Sequence, residues 1–278
     1  QVNALVSLRP TDELLAEADV CDRQLDQGQS RGWMHGMPQA IKDLAATAGL
    51  RTTMGSSLFA RHVPQHDAIS VARVRANGAI IVGKSNVPEF GLGSQTYNSV
   101  FGITTNAYDP TLIAGGSSGG AAVALALRML PVADGSDMMG SLRNPAAFNN
   151  VFGFRPSQGR VPYGPVPETF VQQLATEGPM GRSVTDVARL LGIQAGHDRR
   201  VPLSLTSDPQ QFNEPLQCDF AGARLGWLGD YNGYLPMDVG VLNLCESALG
   251  DFTALGCQVE TCHPDFSMER LWQCWLVR

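Results

Sequence analysis

Cysteine and histidine are scarce in this chain, six and five among 278 residues. Cys257 and Cys262 sit close together beside His263, but no Cys-x-x-Cys pair occurs anywhere. Structural zinc sites use such pairs, so no metal is expected. So few cysteines read as ordinary thiols in a reducing cytosol. Basic runs are absent too. Lys and Arg total 20 against 26 acidic residues and are scattered, for a net charge of −6, which argues against a nucleic-acid partner. No apolar stretch reaches the ~18 residues of a membrane helix. The longest, residues 121–133, contains Arg128 and Pro131. A cytoplasmic protein that does not enter the membrane is the expectation. No signal peptide opens the chain, and Gln1 is not a native start. Internal repeats and low-complexity tracts are absent as well.

What the chain does have is apolar content of 44%, enough to bury an ample core in one large domain or two small ones. Residues 11–27 are acidic and helix-prone. Residues 66–77 carry Ile69, Val71, Ala72 and Val74 and stop at Gly78, a helix ending in glycine. The run from Ala79 to Val82 follows as a buried strand ending at Gly83, so helix and strand alternate as in an α/β sheet. Residues 119–129 read as an alanine-rich helix and 130–133 as a strand. Ser183 and Asp186 form a capping box that opens a helix to about Ala195. Residues 220–227 and 258–262 read as strands around a helix over 239–255. The polar, turn-rich segment 201–215 connects a motif-bearing core, about 29–200, to a peripheral part, about 201–278, of one catalytic domain. Residues 2–8 read as an element already in mid-course and 271–278 carry no stop signal, so both ends read as cut.

Three short segments carry the chemistry. Lys42 stands in Gly36-Met37-Pro38-Gln39-Ala40-Ile41-Lys42-Asp43, behind apolar residues that would draw its ammonium into a partly buried site. Burial lowers a lysine pKa and makes a neutral amine able to accept a proton. Ser117 stands in Gly115-Gly116-Ser117-Ser118-Gly119-Gly120. Ser141 stands in Gly135-Ser136-Asp137-Met138-Met139-Gly140-Ser141-Leu142-Arg143. A serine hydroxyl is a poor nucleophile until a base takes its proton, and a lysine can be that base in place of a histidine. The glycine-rich segment lacks the Gly-Lys-Ser/Thr ending of a phosphate loop, and the helix after it argues against a flexible linker.

These segments resemble the amidase signature family. The resemblance runs over residues 36–186, through Glu89-Phe90-Gly91, Asn98, Phe101-Gly102, Phe154-Arg155-Pro156 and Gly178-Pro179-Met180. It implies an α/β fold, a mixed twisted β-sheet flanked by helices on both faces. It also implies amide hydrolysis through an acyl-enzyme. Carried over residue by residue, Ser141 is the nucleophile, Ser117 is the relay serine preceded by a cis peptide, and Lys42 is the base. Backbone N–H groups of Met138, Met139, Gly140 and Ser141 would form an oxyanion hole, each donor worth ~3 kcal/mol in the transition state. Gly91 and Ser117 would contact substrate, and Ser118, Asp137 and Arg143 would brace the site. A small-molecule amide and water are the implied partners, with a homodimer compatible and no cofactor implied. Esters and carbamates fit the same geometry.

The chain departs from the family pattern at Met138 and Met139, where small residues are usual, and at Ala114, where proline is usual. The Met139 side chain has the acyl pocket or the core as its destination. Met138, Met139, Tyr163, Phe170, Trp272 and Trp275 suggest an apolar or aryl acyl group. Other readings use the same letters. Gly115 to Gly119 also satisfies Gly-x-Ser-x-Gly, the elbow of α/β-hydrolases, with His197 or His263 as base and Asp186 as orienting acid. A non-catalytic homologue, and a subunit that releases ammonia for an amidotransferase, are the remaining alternatives.

Overall fold

The computed structural model describes residues 2–166, 170 and 174–277. The chain divides into two compact units, Gln1–Glu214 and Pro215–Arg278. In the first unit the elements run β1 (Leu5–Val6), α1 (Thr11–Asp26), β2 (Pro38–Lys42), α2 (Ile69–Ala76), β3 (Ile80–Ser85), β4 (Tyr97–Asn98), β5 (Gly102–Ile103), α3 (Gly119–Ala126), β6 (Val132–Asp137), α4 (Arg143–Phe148), β7 (Phe152–Gly153), β8 (Thr176–Gly181) and α5 (Val184–Gln194).

Two three-stranded sheets form the centre, in the orders β1-β3-β2 and β6-β8-β7. The strands are mixed in direction: β2 runs parallel to β3, whereas β1 and the second sheet pair antiparallel. β2 lies against β6, and a side chain joins them. Asp134 of β6 accepts the Lys42 backbone N–H on Oδ2 at 3.0 Å and Gln39 Nε2 on Oδ1 at 3.3 Å.

Alternation along these strands places helices on both faces. Ala40 and Ala133 pack with Ala121 to Leu125 of α3. Their chain neighbours point the other way: Ile41 packs with Val71, and Val132 with Val74 and Leu190, on the side of α2 and α5. Ser183 caps α5 by accepting the Asp186 N–H at 3.1 Å, while its hydroxyl donates to the Asp186 carboxylate at 2.8 Å. Gly78, just past α2, has φ +98°, a conformation glycine adopts at no steric cost.

Strands β3 and β6 differ from their expected bounds in ways that bear on the site. β3 passes through Gly83 because Lys84 and Ser85 still pair with Ile41 and Lys42. β6 starts at Val132 and continues to Asp137, its polar second half held in register by β8 from Asp134↔Pro179 to Asp137↔Thr176. A hydrophobic run marks only the half of such a strand that meets the core.

The second unit holds β9 (Arg224–Trp227), α6 (Val241–Ala254), β10 (Gln258–Thr261) and α7 (Met268–Leu276), with β9 and β10 parallel. No helix among the described residues is long and apolar enough to cross a membrane. All six cysteines are unpaired.

Candidate active site

Lys42 is the last residue of β2 and is 2% exposed. Its Nζ reaches Ser117 Oγ at 2.8 Å, Ser118 Oγ at 2.8 Å, Ser136 Oγ at 2.9 Å and the Ser136 carbonyl at 3.3 Å. Burial pulls the Lys42 ammonium down to about 7, against the opposing pull of Asp134, Asp137 and Glu177. Ser118 occupies the N-cap position of α3, yet its hydroxyl caps no backbone N–H of that helix. It meets the lysine instead.

The Gly116–Ser117 peptide is cis. Gly91 stands beside Ser117: a Cβ built on it would lie 3.6 Å from Ser117 Oγ and 2.5 Å from Leu44 Cδ1.

Ser141 lies in the turn between β6 and α4. Its carbonyl accepts the Ser118 N–H at 3.2 Å, which ties the two serine segments together. Lys42 bonds to Ser117, but no hydrogen bond joins Ser117 Oγ to Ser141 Oγ, and Ser141 Oγ has no partner among the described residues. The structure thus forms the first leg of the expected relay and leaves the second open.

Asp137 organises the Ser141 turn. Its fully buried carboxylate accepts the N–H groups of Gly140 at 2.7 Å and Leu142 at 3.1 Å, and Arg143 Nε and Nη2 at 2.9 and 3.0 Å. Arg155 Nε adds a charge 3.4 Å away. Burial pushes this carboxyl up, but the Arg143, Gly140 and Leu142 hydrogen bonds outweigh it and hold the group below its ordinary value. The four-donor oxyanion expectation changes at Gly140, whose N–H is engaged by Asp137. The N–H groups of Met138, Met139 and Ser141 remain without a partner among the described residues.

Met138 and Met139 are 46% and 60% exposed. The core is therefore not where the described residues place Met139. Tyr163 lines a cavity with Leu44. Phe170 is exposed, and residues 167–169 and 171–173 of the same loop lie outside the described residues. Trp272 and Trp275 belong to the second unit.

The nucleophile-elbow arrangement is not assembled around His197. Ser117 Oγ meets Lys42, His197 Nδ1 meets Ser204 Oγ at 3.0 Å, and Asp186 serves the cap of α5. Three side chains at the site stand outside the motif-based expectations: Ser136 on Lys42, Asp134 under it, and Glu177 opposite Ser136 in the β6–β8 ladder. Their signal is the alternation of polar residues at 134 and 136, which becomes visible only once β6 is known to run that far. Among the described residues no group of His, Cys, Asp and Glu could hold a metal ion.

The profile of the Amidase family matches residues 1–275. A subunit of glutamyl-tRNA(Gln) amidotransferase from Thermosynechococcus vestitus is 40% identical over 258 residues, 92% of this chain and 53% of the relative. A bacterial aryl acylamidase of the amidase signature family superposes with a TM-score of 0.90 at 33% identity, over 99% of this chain and 57% of that one. A peptide amidase from Stenotrophomonas maltophilia gives 0.79 at 31% identity, over 94% and 54%. The chain therefore spans about half the length of the relatives it matches. With the family profile matched almost end to end around a buried lysine that bonds a cis serine, this chain belongs to the amidase signature family.

Proposed function

We propose that the chain hydrolyses a carboxylic amide through an acyl-enzyme on Ser141. The observation that carries this reading is the buried Lys42 amine, at about 7, held 2.8 Å from Ser117 Oγ. A neutral lysine has two N–H donors and one lone pair. Ser118 Oγ and Ser136 Oγ accept the two donors, which leaves the lone pair for the Ser117 proton.

In the acylation step Lys42 takes the Ser117 proton while Ser117 takes that of Ser141. Ser141 Oγ forms a bond to the substrate carbonyl carbon, and the carbonyl π pair moves to oxygen. The N–H groups of Met138, Met139 and Ser141 are the donors for that oxyanion. The C–N bond then breaks as the relay returns a proton through Ser117 to the leaving nitrogen. Water repeats the sequence on the ester, releasing the acid and restoring Ser141. The open Ser117–Ser141 leg fits a site that tightens when substrate arrives. Asp137 and Arg143 hold the turn in place. No step needs a metal or an organic cofactor.

A second reading is favoured by the amidotransferase relative at 40% identity. As part of an amidotransferase, the same site would release ammonia from an amide for a second reaction. Fluorophosphonate labelling of the intact protein with peptide mapping tests both, because both place the adduct on Ser141. An adduct on Ser117 or Ser118 would refute them. A panel of aryl amides, peptide amides and glutamine then separates the two.

A further inference from the structure

A cavity of about 510 Å³ opens beside the candidate active site, within the size range of small-molecule pockets. Leu44, Ala45, Ala46, Met54 and Pro64 give it an apolar wall, and His62, Gln65, His66, Asp67, Tyr163 and Glu177 line it as polar groups. Glu177 is 7% exposed. Ser70 lies near enough to favour its ionised form, and Oε2 has no hydrogen-bond partner. Asp67, also on the wall, differs: Arg75 Nε and the Ala48 N–H occupy its carboxylate at 2.9 and 2.7 Å. Glu177 is therefore the acidic group of this cavity with an oxygen unspent, and a buried unpaired acceptor calls for a donor.

We propose that this cavity binds a primary amine, its aryl or alkyl body against Leu44, Ala46 and Met54 and its nitrogen on the Glu177 carboxylate. A metal cation is a poorer occupant, because no second unpaired carboxylate stands beside Glu177 and no metal-holding group exists among the described residues. Leu44 also fills the space next to Gly91, within reach of the point 3.6 Å from Ser117 Oγ. The cavity wall thus adjoins the relay serine. Amide hydrolysis releases an amine on the side of the serine that protonates it, so the cavity becomes the subsite for the leaving amine. That last assignment rests on the proposed amidase reading.

Burial pushes the Glu177 carboxyl up to about 7, so at pH 8 it is largely ionised and suited to an ammonium. Benzylamine is the probe, titrated calorimetrically into the intact protein at pH 8. The wild type is expected to bind it. Glu177→Gln should weaken binding roughly 10–100-fold, the cost of losing a charged hydrogen bond. Ala46→Leu, which fills the cavity without touching Glu177, should weaken it comparably and decides the matter if the Gln variant does not fold. No binding by the wild type, or less than tenfold weakening in a folded variant, overturns the proposal. Fluorophosphonate labelling of Ser141 in the same samples keeps the two ideas apart. Labelling without amine binding sinks only this cavity assignment, whereas amine binding without labelling sinks only the amidase reading.

Discussion

At the scale of single residues, the proposed mechanism depends on Lys42 acting in its neutral form. Lys42→Ala should lower amide turnover by several orders of magnitude with folding retained, whereas His197→Ala and His263→Ala should be nearly silent. Lys42→Arg should be as inactive as the alanine variant, since a guanidinium stays charged. Activity that survives in Lys42→Arg would mean the residue is no base. The pH profile follows from the same group. Only the neutral amine accepts a proton, so kcat/KM should fall as pH drops below about 7. Ser136 tests the proton inventory. Ser136→Ala frees one N–H of Lys42 and should reduce kcat about tenfold with KM little changed, and Ser136→Thr should restore it.

Elements matter here as mounts for those residues. β2 and β6 carry Lys42 and the Ser141 turn, and the Asp134 carboxylate stitches them together. Asp134→Ala leaves the buried Lys42 N–H unpaired and Gln39 Nε2 with only the Ala40 carbonyl, and should cost about 1–3 kcal/mol, read as a lower urea midpoint with an unchanged slope. The β6–α4 turn depends on Asp137 in the same way. Asp137→Asn removes the charge that holds Arg143 and should slow fluorophosphonate labelling by about tenfold or more while Ser141 remains the labelled residue. A labelling rate equal to the wild type would show that the turn holds its shape without the ion pair.

At the scale of the molecule, the buried charges around Lys42 set how stability varies with pH. Glu177 rises from an ordinary 4.5 to about 7, so the folded state holds the extra proton between those values. Its contribution is full below 4.5 and is lost as pH climbs through 7, on the order of 3 kcal/mol. Lys42 and Lys84 fall from 10.5 to about 7 and about 8, each by burial first. Between those values and 10.5 the unfolded chain holds more protons, so stability rises with pH there. These groups together place a minimum near neutrality. Melting temperatures from pH 5 to 9 should show it, and Glu177→Gln should flatten the acidic side, so an unchanged slope would remove Glu177 from the account. The sequence by itself determined the family and the α/β alternation and singled out Lys42, Ser117 and Ser141 as candidates, because glycine spacing and apolar periodicity are local signals. It could not show that β6 runs to Asp137, since that half of the strand is polar and held only by pairing with β8. Nor could it show Ser136 on the lysine, Gly140 taken by Asp137, or the unpaired oxygen of Glu177. Each of these follows from which distant groups folding brings within 3 Å and which it leaves without a partner, and only the tertiary structure decides that.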